Sequence, residues 1–145
     1  MTTPLNNAGI LNDYLTNILD HVEAEEYSLA ILEDINFRFE SDGRITTFNP
    51  LTWKITILNP TMGEIVRIIK TNRYAKFSEI LKILHYKYPD IPIDVLKNDI
   101  KNAILWLFVN EFIYIVSNNK EKLHFISLLK KANDFDINDN NSEEG

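Results

Sequence analysis

The chain has 145 residues, 45% of them hydrophobic, enough for one domain with a real core and room for extensions. It has no cysteine, which excludes a disulfide framework, thiolate zinc sites and thiol catalysis. The net charge of −6 is segregated: residues 1–42 sum to −8, residues 43–131 to +7 and residues 132–145 to −5, so a basic middle is set to attract an acidic peptide or nucleic acid unless the counts reflect only a solvated surface.

Residues 1–9 are polar, carry Pro4 and Gly9, and are expected to be loose. Met1 to Asn12 lacks the basic-then-apolar pattern of a secretory signal, and no stretch approaches the roughly 18 apolar residues of a membrane span. The expectation is a cytoplasmic protein with no membrane partner. From Ile10 to Val22, apolar residues recur at helical spacing. The acidic run Glu23, Glu25, Glu26 follows, and Tyr27 to Ile35 either extends the helix or begins a strand.

Phe37 to Glu40 alternates as a short strand, and Asp42-Gly43 signals a tight hairpin turn into a second strand, Arg44 to Phe48. A turn at 49–51 leads to the third strand, Trp53 to Leu58, which has the best strand composition in the chain. Pro60 suits a helix start, and Thr61 with Glu64 has the spacing of a capping box. Three helices follow: a first ending at Thr71 to Arg73, a second from Phe77 to Tyr88, and a third from Ile93 to Asn110 after Pro89 to Pro92. Phe112 to Val116 reads as a strand, with Lys122 to Ile126 as its partner across a turn at Ser117 to Lys120. Leu128 to Ala132 adds a helical turn, and the acidic, Asn-rich end from Asn133 is expected to be disordered.

His21, His85 and His124 share no metal-site spacing, and there is no Gly-rich phosphate loop or Gly-x-Ser-x-Gly motif. No catalytic residue, metal or cofactor is therefore expected, and the chain reads as a non-enzyme.

The order of strands and helices, with four motifs, resembles a known family. The motifs are the Asp42-Gly43 hairpin, the strand-to-helix run from Ile57 to Val66 through Asn59-Pro60, the helix from Phe77 to Leu81 that ends at Tyr86 to Pro89, and the run from Val95 to Ile100 that continues to Leu107 and Glu111 to Ile113. Phe37 to Val116 is similar to the PqqD-like proteins, also called recognition elements for ribosomally made, post-translationally modified peptides (RiPPs). The family often has Asp-Gly where Asn72-Arg73 stands, and Gly where Asn110-Glu111 stands. Asn tolerates the left-handed conformation, so these departures are expected to keep the geometry.

The resemblance implies an α+β, winged-helix-like domain: a three-stranded antiparallel sheet followed by a three-helix bundle, with an extra N-terminal helix and a short C-terminal strand or hairpin. It divides the chain into a helical extension (1–35), the domain (36–131) and an acidic tail (132–145). It implies a scaffold that binds a precursor's leader peptide by strand addition and presents it to a separate modifying enzyme, often a radical SAM enzyme. Carried over by position, the edge is Trp53, Lys54, Ile55, Thr56, Ile57 and Leu58. The facing helix offers Leu96, Lys97, Ile100, Lys101 and Ile104, with Leu105 beside them. Lys54, Lys97 and Lys101 are the candidates to pair with leader carboxylates. Read without the family, Trp53 is a hydrophobic strand end, the Leu96–Ile100–Ile104 stripe is core, and Lys97 and Lys101 form a solvated face.

A rival reading is a winged-helix DNA-binding regulator whose third helix presents Lys97, Asn98, Lys101 and Asn102 to a groove. Asp94, Asp99 and the overall acidity oppose it, so no nucleic acid is expected. The N-terminal helix is open to capping the domain, forming a homodimer or docking the partner enzyme. If its acids cover the basic cleft, deleting residues 1–35 tightens leader binding.

Overall fold

A computed structural model describes residues 7–50 and 52–144, and the side chains of residues 9–50 and 52–134 within them. The loose N-terminus expected for residues 1–9 lies outside the described residues as far as Asn6, and the next three residues already belong to a helix. The chain is mixed α+β. Among the described residues it forms five helices and two three-stranded antiparallel sheets. No described helix is long and apolar enough to cross a membrane.

Helix α1 (Asn7–Glu23) leads into β1 (Ser28–Ile31). The ambiguous Tyr27 to Ile35 segment thus contributes a strand, which pairs with β5 (Ile113–Val116) in the register Leu29↔Ile115. The sheet order is β1-β5-β6, with β6 (Lys122–Leu123) cut short because α5 (Phe125–Glu144) opens almost at once. The expected partner strand to Ile126 is therefore corrected to two residues.

The end of the chain differs too: α5 continues to Glu144 where a tail without structure was expected from 132. Ala132 is fully buried, and α5 packs against α1, so the helical turn at Leu128 to Ala132 is an anchored part of a longer helix. Residues 1–35 pack into the same core, since Ile18, Val22, Leu29 and Ile35 belong to the single core cluster.

The second sheet has the order β2-β3-β4, formed by Asn36–Phe39, Ile45–Asn49 and Lys54–Leu58. Gly43 takes φ +90° in the β2–β3 turn, as the Asp-Gly pair predicts. Helix α2 (Pro60–Asn72) then lies close on that hairpin. A Cβ at Gly63 would stand 2.9 Å from the Gly43 carbonyl oxygen, so only glycine permits the approach.

The cap of α2 is Asn59, whose Oδ1 accepts the Met62 N–H at 2.8 Å. The expected Thr61–Glu64 box does not form. Glu64 instead turns to α3 (Phe77–Lys87), accepting from the Tyr88 hydroxyl at 3.0 Å and from Lys87. Glu25 supplies a long-range cap: its carboxylate takes the Ser78 N–H and hydroxyl at 2.7 and 2.9 Å and so seals the start of α3.

Helix α4 (Ile93–Val109) ends in a Schellman motif. Phe112 N–H donates to Leu107 O at 2.9 Å and Glu111 N–H to Phe108 O at 3.2 Å, with Glu111 at φ 64°. Asn110 has φ −91°. At the end of α2 it is Arg73, at φ 63° and ψ −56°, and not Asn72, that takes the positive φ, in a γ-turn closed by Tyr74 N–H to Asn72 O at 2.7 Å. The expectation that the two asparagines take over the left-handed positions is corrected. A neighbour takes the positive φ in each case, at a strain of about 1–3 kcal/mol for a side chain other than glycine.

Candidate functional site

The main-chain register of the β2-β3-β4 sheet decides which groups are free. Glu40 N–H donates to Arg44 O at 2.9 Å, so this pair and those two residues along, Arg38↔Thr46 and Asn36↔Phe48, are the hydrogen-bonded pairs of β2 and β3. Hence Ile45, Thr47 and Asn49 turn their main chain toward β4 and pair with Leu58, Thr56 and Lys54. Ile55 and Ile57 are left with N–H and C=O groups pointing out from the free edge of β4.

Side chains alternate across the same strand. Leu58 is buried and Thr56 half-buried on the inner face, where Thr47 donates its hydroxyl to Thr56 O at 2.9 Å. On the outer face Ile55 and Ile57 are 73% and 60% exposed, opposite Phe48 and Thr46, and Trp53 is 82% exposed. Trp53 is not part of the strand but sits just before it at φ 56°, with its ring edge-on to Phe48 at 6.2 Å. Three large apolar side chains at alternate positions, beside an unpaired strand edge, form an exposed apolar surface of the kind that marks binding sites. Lys54, at the start of the strand, forms no ion pair among the described residues.

The helix side of the expected cleft is arranged differently. Leu96, Ile100 and Ile104 are buried, at 5%, 1% and 0% exposure, and Ile100 and Ile104 belong to the common core cluster. Leu96 and Ile100 also line a cavity of about 160 Å³ with Thr61 and Ile65 of α2 and Leu84 of α3, so the part of the stripe that meets open space does so beside α2 and α3. Lys101 Nζ lies 2.8 Å from Glu23 Oε2, so that side of α4 faces α1, and Lys97 stands one turn earlier on the same side. Glu23, the last residue of α1, does reach a basic residue in Lys101.

What β4 does face is the C-terminal end of α4. Lys54 and Thr56 share a shallow cavity of about 100 Å³ with Val109, Asn110 and Glu111. Asn49 Nδ2 donates to Glu111 O at 3.1 Å and ties β3 to this corner. Asn49, Val109 and Glu111 were not read as site residues from sequence, where Asn49 stood only in a turn and Glu111 only in a family motif.

Burial holds the Glu111 carboxyl above the usual carboxylate range, against the smaller opposing effects of the Ile126 amide and His124, and its Oε1 is buried without a partner. A carboxyl whose folded pKa is raised favours folding at low pH and loses that contribution as pH rises through the folded value. Glu111→Gln is therefore expected to unfold at higher urea than wild type at neutral pH, with the difference vanishing below the ordinary carboxylate range; equal midpoints at neutral pH would refute it.

Two of the three histidines are engaged structurally. His21 pairs with Glu26 at 2.8 Å and stacks on Tyr27, and His124 stacks on Tyr114. No group of three or more His, Asp or Glu residues able to hold a metal occurs among the described residues. Comparison of the chain with family models, curated proteins and solved structures gave no match.

Proposed function

We propose that the protein is a cytoplasmic peptide-binding scaffold, winged-helix-like in plan, that captures the leader of a ribosomally made precursor at the β4 edge and presents it to a separate modifying enzyme. The observation that carries this reading is the outward main chain of Ile55 and Ile57, flanked by exposed Trp53, Ile55 and Ile57. An extended peptide pairs its main chain with such an edge, while its alternate side chains are read by pockets, which is strand addition. Its apolar residues pack on the face of Phe48, Ile55 and Trp53, and a carboxylate at its end reaches Lys54. A lone exposed ion pair contributes only about 0.2–1 kcal/mol, so the apolar contacts dominate affinity.

The deciding experiment is titration with the candidate leader and, separately, with duplex DNA. Saturable leader binding that quenches or shifts the emission of exposed Trp53, with no DNA binding at the same salt, supports the scaffold. DNA binding alone replaces it with the regulator reading. The DNA reading has less to draw on, because Lys101 is already paired with Glu23 and α1 packs on α4.

A further inference from the structure

A cavity of about 520 Å³ lies away from β4, between the free edge of β1, Phe37 of β2 and the C-terminal end of α2. This volume is in the range of about 300–1,000 Å³ that small-molecule sites occupy. Its floor is apolar, with Ala30 and Ile35 at 2% and 6% exposure. Its rim carries Lys70 and Arg73, neither of which forms an ion pair among the described residues. Lys70 Nζ rests 5.3 Å from the centre of the Phe37 ring and 5.4 Å from that of Phe39.

Three further features converge on the same space. Leu29 exchanges both main-chain hydrogen bonds with Ala75, at 2.7 and 2.9 Å, while Leu32 N–H donates to Phe112 O on the other side of the strand at 3.0 Å. Ile31, two residues after Leu29, therefore turns its N–H and C=O outward to the cavity. Tyr74 and Tyr114 both line the cavity, and burial, then the neighbouring Tyr74, hold the Tyr114 phenol above its usual range. Arg73 is held at φ 63°, a conformation uncommon outside glycine, and sits on the rim. Cations at the end of α2 are accounted for by the helix dipole alone. The dipole does not account for an apolar floor, two tyrosines and an unpaired main-chain edge lining the same cavity as the two cations.

We propose that this cavity is a second binding site, which takes a small organic anion with an apolar or aromatic body. The body lies against Ile31, Ile35 and Phe37. The carboxylate or phosphate sits between Lys70 and Arg73, and a tyrosine hydroxyl donates to it. Glu33 is the one acid on the lining and opposes the anion. The site is independent of the β4 edge.

The test is titration of the full chain with 4-phenylbutyrate and with phenyl phosphate, followed by backbone amide shifts, with neutral 4-phenylbutanol as the control. The two anions separate a carboxylate site from a phosphate site. Saturable shifts are expected at Ile31, Arg73, Tyr74 and Tyr114, from at least one anion. Lys70→Met is expected to weaken that binding by about tenfold. Arg73→Gly is expected to weaken it similarly while keeping the positive-φ backbone, which glycine adopts freely. Glu33→Gln is expected to tighten it, a gain that a misfolded variant does not mimic. The proposal is overturned if the neutral alcohol binds as tightly as both anions, if no anion shifts these amides, or if folded Lys70→Met and Arg73→Gly bind like wild type.

Discussion

A chain lacking residues 1–35 is expected not to fold. The deletion removes Ile18, Val22, Leu29 and Ile35 from the core, where each is at most 6% exposed. Four such side chains together contribute about 6–12 kcal/mol of burial, comparable with the whole stability of a domain, about 5–15 kcal/mol. Two other losses act in the same direction. The edge of β5 that β1 covers is opened, and Ser78 at the start of α3 loses both hydrogen bonds to Glu25. The truncated chain should show no cooperative unfolding by circular dichroism and poorly dispersed amide signals. Cooperative unfolding with dispersed signals would show that the N-terminal segment is dispensable, and only then does the idea of a removable cover over a basic cleft regain a footing. As it stands, Glu23 and Glu25 hold Lys101 and the start of α3, which are structural contacts within one core.

Elements with strong local signals were legible in the sequence. The Asp42-Gly43 hairpin, the strand from Lys54 to Leu58, Pro60 at the head of α2 and the Pro89–Pro92 break all stand where turn and helix chemistry put them. Elements fixed by distant partners were not. Ser28–Ile31 is a four-residue strand whose identity comes from Ile113–Val116 and from Ala75, and nothing within Tyr27 to Ile35 announces that pairing. Capping was misread because Asn59 and Thr61 are both good caps two residues apart. Glu64 had a better use than closing the box, since Lys87 and Tyr88 meet its carboxylate from α3. The candidate site was half legible. The strand follows from composition and its role as an edge came only with the family resemblance, while the helix stripe Leu96, Ile100 and Ile104 carries the same periodicity whether it lines a cleft or fills a core. Trp53 at positive φ was not foreseeable from residue type, since a bulky aromatic side chain rarely takes that conformation.

Two adjacent proline substitutions in β4 are expected to have opposite consequences. Ile55 N–H points away from the sheet, so Ile55→Pro removes a donor that no group of the folded protein uses, and proline is tolerated on an edge strand in that orientation. The preceding Lys54 is already extended, as a residue before proline prefers to be. The fold should survive, with circular dichroism and the unfolding midpoint near wild type. Leader binding should fall by about tenfold or more, because one main-chain hydrogen bond, about 0.5–1.5 kcal/mol, and the isoleucine contact are lost together. Thr56 N–H instead points into the sheet toward Thr47, a residue only 1% exposed. Thr56→Pro leaves the Thr47 carbonyl without its partner, at about 1–3 kcal/mol, and should lower the unfolding midpoint clearly. If folded Ile55→Pro binds the leader as tightly as wild type, strand addition at β4 is wrong, whatever the peptide. If Thr56→Pro is as stable as Ile55→Pro, the register that makes Ile55 and Ile57 the outward pair is wrong, and the proposed docking edge shifts by one residue to Lys54, Thr56 and Leu58.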